Sequence, residues 1–402
     1  MQLTKLFCLC ILLAGRAFGQ VAASNASGRS AQQSPSFAEA ARLEAAGEYS
    51  RAAAAWSMVA HAAPSSDGLP YAHLGFCLAR QGDYAKAVAA YRTALSRNPR
   101  LPGLELNLGL AEFKQGHLAE AVEPLKRAHA TNPADARTTI LLGMSLYGLR
   151  RFEEAIPCLE IASASDPGNR ELPMTLAEAY MESHQYGKAL PVYQRIITES
   201  PNSVQAHMLA GEAQDALHET PAAIEEFKAA AAADPKYPNV HFGLGYLFFK
   251  SHRYAEAKPE FEAELANDPD SALALLYLGD IALSDDNWAD AVKFLPRAAE
   301  LNPGLRLAHY DLGMLEVHQG ETHKAEASFR RAIAIDPDAV DAHYNLARLL
   351  ASTGRRDEAR AEFARTEAIH KKQEVEPLVM QMPTGPTAAS PNPATNSPKP
   401  QD

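Results

Sequence analysis

The sequence predicts an all-α solenoid of about ten helix–turn–helix repeats, each 34 residues long, and three observations predict it. First, Pro99, Pro133, Pro167, Pro201, Pro235, Pro269, Pro303 and Pro337 keep one spacing without slippage. Asn or Asp precedes every one of them except Pro201, which follows Ser200. A proline ring excludes the right-handed helical conformation from the residue before it, so each pair ends a helix. Second, with that proline as position 32 and repeats starting at residue 68, position 20 is always alanine, from Ala87 to Ala359. Position 8 is always small, as in Gly75, Gly109, Ala177 and Gly313. Third, position 24 is large and apolar throughout, as in Tyr91, Leu125, Phe261 and Phe329. Positions 20, 24 and 27 share one face of a second helix, and 7, 8 and 11 share the inner face of a first. Small residues at 8 and 20 let the two backbones approach. The residue at 24 then fills the seam to the next repeat, so the core runs on from neighbour to neighbour.

Composition agrees. The chain has 402 residues, 47% hydrophobic and 22% charged, which suits a folded protein. Its net charge of −11 disfavours nucleic acid and anionic membranes, since both need a basic face.

The elements follow in chain order. Residues 1–19 read as a cleaved secretory signal: Lys5 gives a positive start, Leu6 to Ala14 an apolar run too short to span a bilayer, and Ala17-Phe18-Gly19 a cleavage site. Cys8 and Cys10 lie inside that apolar run without the order of a lipoprotein signal. Export to the periplasm or cell exterior is therefore expected, with no stable membrane insertion. Residues 20–32 form a small polar linker. Residues 33–67 form a degenerate first repeat, because Gly47, Tyr49, Ala52, Trp56 and Pro64 echo Gly82, Tyr84, Ala87, Tyr91 and Pro99 one residue out of step. Nine in-register repeats fill 68–373. The last second helix, from about Arg356 to Glu374, is heavily charged and serves as the cap. Residues 374–402 form a Pro/Thr/Ser-rich flexible tail.

These residues closely resemble the tetratricopeptide repeat, whose pattern has Leu-Gly at 7–8, Ala at 20, an aromatic at 24, Ala at 27 and Pro at 32. The resemblance covers about 68–373 and implies a right-handed superhelix that binds proteins on its concave face, through positions 2, 5, 9, 12 and 13 of the first helices. Departures are specific. The Trp at position 4 is replaced by His207, His241, His309 and His343 among others. The turn Gly at position 15 is replaced by Arg150, His184, His218, His252 and Asp286. Pro157, Pro191 and Pro259 fall near the start of second helices, whereas Pro296 falls mid-helix and predicts a local kink.

No sequence motif for catalysis, phosphate binding or metal binding is present, so neither an enzyme nor a cofactor is expected. The position-4 histidines recur one repeat apart, on the order of 10 Å, too far to share a metal with bonds of about 2 Å, and read as packing residues. The ladder His184, His218, His252 has two readings: tolerance of a left-handed turn, or a stripe that gains charge below about pH 6.5. Cys77 and Cys158 lie on different repeats and read as small buried hydrophobes.

Candidate partner-binding residues come from the face that the resemblance names. Repeats 1–3 offer Phe76, Leu110, Phe113, Met144 and Tyr147. Repeats 4–5 offer Glu178, Glu182, Glu212 and Asp215, and repeat 6 offers Phe242, Tyr246 and Phe249. An acidic band between apolar stretches suits an extended or helical peptide with apolar anchors and a basic centre. Some of these residues could instead pack between first helices. The carboxylate clamp known in the family needs Lys at position 5, which no repeat has. The expected function is a protein-binding scaffold in cell-envelope assembly or secretion. The alternative is an accessory subunit that presents substrate or partner to a separately encoded enzyme.

Overall fold

The computed structural model describes residues 35–166 and 168–380. Among them are twenty helices and no strand. The chain divides into two compact units, one ending at Pro235 and the next beginning at Lys236. The expected signal and linker lie outside the described residues, as does the chain beyond Met380.

The N-terminal unit holds six hairpins. These are α1 (Pro35–Ala45) with α2 (Tyr49–Ala62), α3 (Leu69–Arg80) with α4 (Tyr84–Arg97), and α5 (Leu104–Lys114) with α6 (Leu118–Thr131). Then follow α7 (Ala136–Gly148) with α8 (Phe152–Ser165), α9 (Glu171–Glu182) with α10 (Tyr186–Glu199), and α11 (Val204–Ala216) with α12 (Thr220–Ala233). The C-terminal unit holds four: α13 (Val240–Lys250) with α14 (Tyr254–Asn267), α15 (Ala272–Ser284) with α16 (Trp288–Leu301), α17 (Arg306–His318) with α18 (Thr322–Ile335), and α19 (Val340–Ser352) with α20 (Arg356–Met380). Odd-numbered helices are the first helices of their repeats.

Helix ends follow from local chemistry. Asp83, Asp135, Ser203 and Asn287 cap helix starts, each side chain accepting from the amide three residues on. The Asx-Pro pairs end helices twice over. Asn98, Asp268, Asn302 and Asp336 leave helical geometry, and each side chain accepts from the amide two residues on.

The core is the one the spacing implies. Ala87, Ala121, Ala155 and Ala325 are fully buried, with Tyr91, Leu125, Leu159, Tyr193, Phe261 and Phe329 filling the seams. A Cβ at Gly75 would stand 2.6 Å from the Tyr91 ring, which is why position 8 stays small. The degenerate first repeat is a full hairpin, with Trp56 completely buried and its Nε1 donating to Glu44 at 2.7 Å. Cys77 and Cys158 are buried free thiols.

Position 15 is a left-handed turn in every repeat. Arg150, His184, His218, His252 and Asp286 have φ of 58°, 57°, 64°, 58° and 54°, matching Gly82, Gly116, Gly320 and Gly354. This geometry fits the reading of the histidine ladder as tolerance of a left-handed turn. The helical prolines and the last helix can be placed more closely. Pro157, Pro191, Pro259 and Pro296 lie within helices that continue through them, their rings all on the exposed face. At Pro296 the carbonyl left without a donor belongs to exposed Val292, where water can answer it. The last helix runs to Met380, so the first residues of the segment expected as a tail from 374 are helical, and the rest of it lies outside the described residues.

Candidate functional site

The position-4 histidines are structural pins. His207 Nδ1 lies 2.6 Å from Glu226 of its own second helix, and its Nε2 lies 2.8 Å from the Pro201 carbonyl of the preceding repeat. His343 repeats the arrangement with Glu362 at 2.6 Å and the Pro337 carbonyl at 3.1 Å. His241 keeps the Glu260 contact at 2.7 Å, while His309 keeps only the Pro303 carbonyl at 3.2 Å. His207, His309 and His343 therefore tie a hairpin to the loop before it, whereas His241 joins the two helices of its own hairpin.

In the N-terminal unit the first-helix face is less open than the sequence suggests. Phe113 and Met144 are each 6% exposed and belong to the core, so neither can anchor a partner. Neighbouring first helices α5 and α7 touch, and their side chains fill the gap between them. Phe76 and Leu110 are half-buried, Phe76 meeting Tyr49 edge-on at 6.0 Å. The acidic band is partly engaged by the fold. The Tyr147 hydroxyl donates to Glu178 Oε2 at 2.6 Å, and Gln205 Nε2 donates to Glu178 Oε1 at 3.0 Å. Burial and that carboxylate push the Tyr147 phenol up. Arg150 pairs with Glu182 at 2.6 Å, and Thr220 Oγ1 donates to Asp215 at 3.1 Å. Glu212 keeps an open surface, yet the protein around its carboxyl raises the pKa by desolvation.

In the C-terminal unit the three expected aromatics form one platform with a residue that sequence reasoning missed. Tyr277 of α15 stands 6.0 Å from Phe242, 5.6 Å from Tyr246 and 4.8 Å from Phe249, all on α13. Beneath it lies Phe261, stacked on Tyr277 at 5.4 Å. Phe242 and Phe249 are half-buried, while Tyr246 is 39% exposed and presents the platform to solvent. Tyr277 sits at position 6, which packs against positions 5, 9 and 12 of the preceding repeat. That relation between repeats is the signal that could have found it.

Two carboxyls adjoin this platform. Asp280, one turn beyond Tyr277, is half-buried, and desolvation raises its pKa. Asp311 of α17 is 5% exposed; burial and then Asp280 push it well above the usual carboxylate range, against the pull of Arg306. Further along the same face a pocket of about 680 Å³ is lined by Arg306, Tyr310, Asp341, Tyr344, Asn345 and His370. There Arg306 donates to both oxygens of Asp341 at 2.7 and 2.8 Å, and Asn345 Nδ2 donates to the Tyr310 hydroxyl at 3.1 Å. Among the described residues no helix is long and apolar enough to cross a membrane.

Tetratricopeptide repeat models match residues 78–136, 140–202, 174–238 and 242–305, and a further one matches 316–379. No curated protein matches by sequence. Among solved structures, a MamA is similar at 26% identity over 41% of this chain and 96% of its own, with a TM-score of 0.38. YrrB, described as a TPR protein with an unusual peptide-binding site, is similar at 21% identity over 47% and 98%, with a TM-score of 0.39. PilW, described as a type IV pilus biogenesis factor, is similar at 20% identity over 53% and 100%, with a TM-score of 0.45.

Proposed function

Because the chain belongs to the tetratricopeptide repeat family, a family of protein-interaction modules, we propose that it is a non-catalytic scaffold whose first-helix face takes an apolar peptide segment of a partner protein. One observation carries this reading: where the exposed apolar side chains fall. Among the residues of the C-terminal unit whose burial is described, six large apolar ones are exposed, and five of them, Tyr246, Leu273, Leu307, Val317 and Tyr344, stand at position 2, 5, 9 or 12 of a first helix. In the N-terminal unit the exposed Met58, Ile161 and Leu217 lie elsewhere. Apolar side chains gathered on one face mark an interaction surface, whereas scattered ones are ordinary.

The secretory character of residues 1–19 supports action outside the cytoplasm, in envelope assembly or secretion. The test is affinity capture by the full chain from the envelope fraction of its host. A partner held by the wild type and by Ile161→Ser, but lost with Tyr246→Ser plus Tyr344→Ser, supports the face. A partner lost equally with Ile161→Ser removes it. If the captured protein is an enzyme, the scaffold acts as that enzyme's accessory subunit.

A further inference from the structure

The C-terminal unit holds a largely buried aspartate that no described side chain pairs with. Asp311 is 5% exposed, and among the described residues its side chain accepts no hydrogen bond and joins no ion pair. Arg306 could have answered it, but holds Asp341 with two short contacts and lies 3.9 Å from Asp336. The equivalent position in adjoining repeats is satisfied. Tyr277 packs into the aromatic platform, and Asn345 donates to the Tyr310 hydroxyl. Among the described residues the fully buried side-chain oxygens without a partner belong to Tyr91, Ser183, Tyr193 and Gln214, so the Asp311 carboxyl, although desolvated, still meets solvent and is open to an incoming group.

The surroundings indicate what the missing partner is. Helices α15 and α17 touch, and Asp280 on α15 stands close enough to Asp311 to act on it electrostatically. Asp280 lies one turn beyond Tyr277 on α15 and acts on it electrostatically, so this carboxyl borders the Tyr277 ring, which stands 5.6 Å from that of Tyr246. A long cationic side chain lays its apolar stem on rings and its head on carboxylates.

We propose that Asp280 and Asp311 together recognise a Lys or Arg side chain of the partner peptide, whose neighbouring apolar residue rests on Tyr246 and Tyr277. The site rests on the reading of the first-helix face as the docking surface. A neutral residue in place of the cation leaves Asp311 as unpaired as in the free protein, so the site discriminates by charge more than by shape.

The probe is a random peptide library selected on the immobilised full chain, as wild type, Asp280→Asn and Asp311→Asn. The wild type is expected to enrich peptides with Lys or Arg beside an aliphatic or aromatic residue. Asp311→Asn should weaken the leading peptide by ~10-fold or more, and replacing its basic residue with Met should matter little in that variant. Thermal unfolding of the peptide-free proteins supplies a second reading: Asp311→Asn should melt no lower than the wild type. Peptides without a basic preference, or a preference unchanged in both variants, would overturn the acidic site while leaving the docking face standing. A lower melting temperature for Asp311→Asn would make Asp311 a residue of the fold and overturn the proposal. Recovery of no peptide at all would overturn the docking face and this site with it.

Discussion

Tyr277 packs its ring 4.8 Å from that of Phe249, so the side chain of one repeat completes the apolar face of the repeat before it. The two rings divide the work of the platform with Tyr246. Phe249 and Phe242 are held from below and beside, while Tyr246 remains open to solvent. Substitutions here should therefore separate. Phe249→Ala removes packing against both Tyr277 and Tyr254 and should cost the C-terminal unit about 2–3 kcal/mol, seen as an earlier urea transition by circular dichroism. Tyr246→Ala should leave that transition within about 0.5 kcal/mol and weaken partner binding instead. Equal loss of stability in both would make the whole platform core.

Asp311 gives stability a pH dependence with a definite sign. Its pKa is raised on folding, as are those of Asp280 and Glu316, in each case chiefly by desolvation. A group so raised binds more protons folded than unfolded, so its contribution is full below the unfolded value near 4 and is lost as pH climbs through the folded one. Acidifying from pH 7 towards pH 5 should therefore raise the melting temperature of the wild type. The gain should be smaller in Asp311→Asn. Parallel pH profiles for the two proteins would contradict the assignment.

The left-handed turns carry a removable strain. His218 has φ of 64° and is exposed, so Gly at this site should stabilise the chain by about 0.5–1 kcal/mol. At His184 the same change also loses a 2.6 Å contact to the Tyr186 hydroxyl and should gain less. Urea midpoints of the two glycine variants decide this, and a destabilised His218→Gly would show that the ring itself matters.

The histidine pins should differ by the number of their contacts. His207→Ala leaves Glu226 and the Pro201 carbonyl without their partner and should cost about 1–3 kcal/mol. His309→Ala, with one such contact, should cost less. Equal losses by chemical denaturation would mean that ring packing, not the paired contacts, sets the cost.

The sequence reads well where local chemistry decides. Asx-Pro pairs, the alanine at position 20 and the large residue at 24 place helix ends and core because each acts within one hairpin. Reading fails where the answer depends on the neighbouring hairpin. Phe113 and Met144 stand at positions that the resemblance marks as open, yet adjacent first helices cover them. Tyr277 and Asp311 share position 6, where Tyr277 meets the rings of the repeat before and Asp311 meets charges from the repeats on both sides, so one helix considered alone gives no reason to single them out. Glu178 likewise reads as a free acid until Tyr147 and Gln205 are seen to hold it.

Docking on the first-helix face of the C-terminal unit is tested most directly by photo-crosslinking in the native host. A benzophenone side chain is placed at position 246, at position 344, or at the exposed position 161 on a second helix. Partner adducts at 246 and 344 with none at 161 are the predicted result. Adducts at 161 alone would contradict it and move the interaction to another surface.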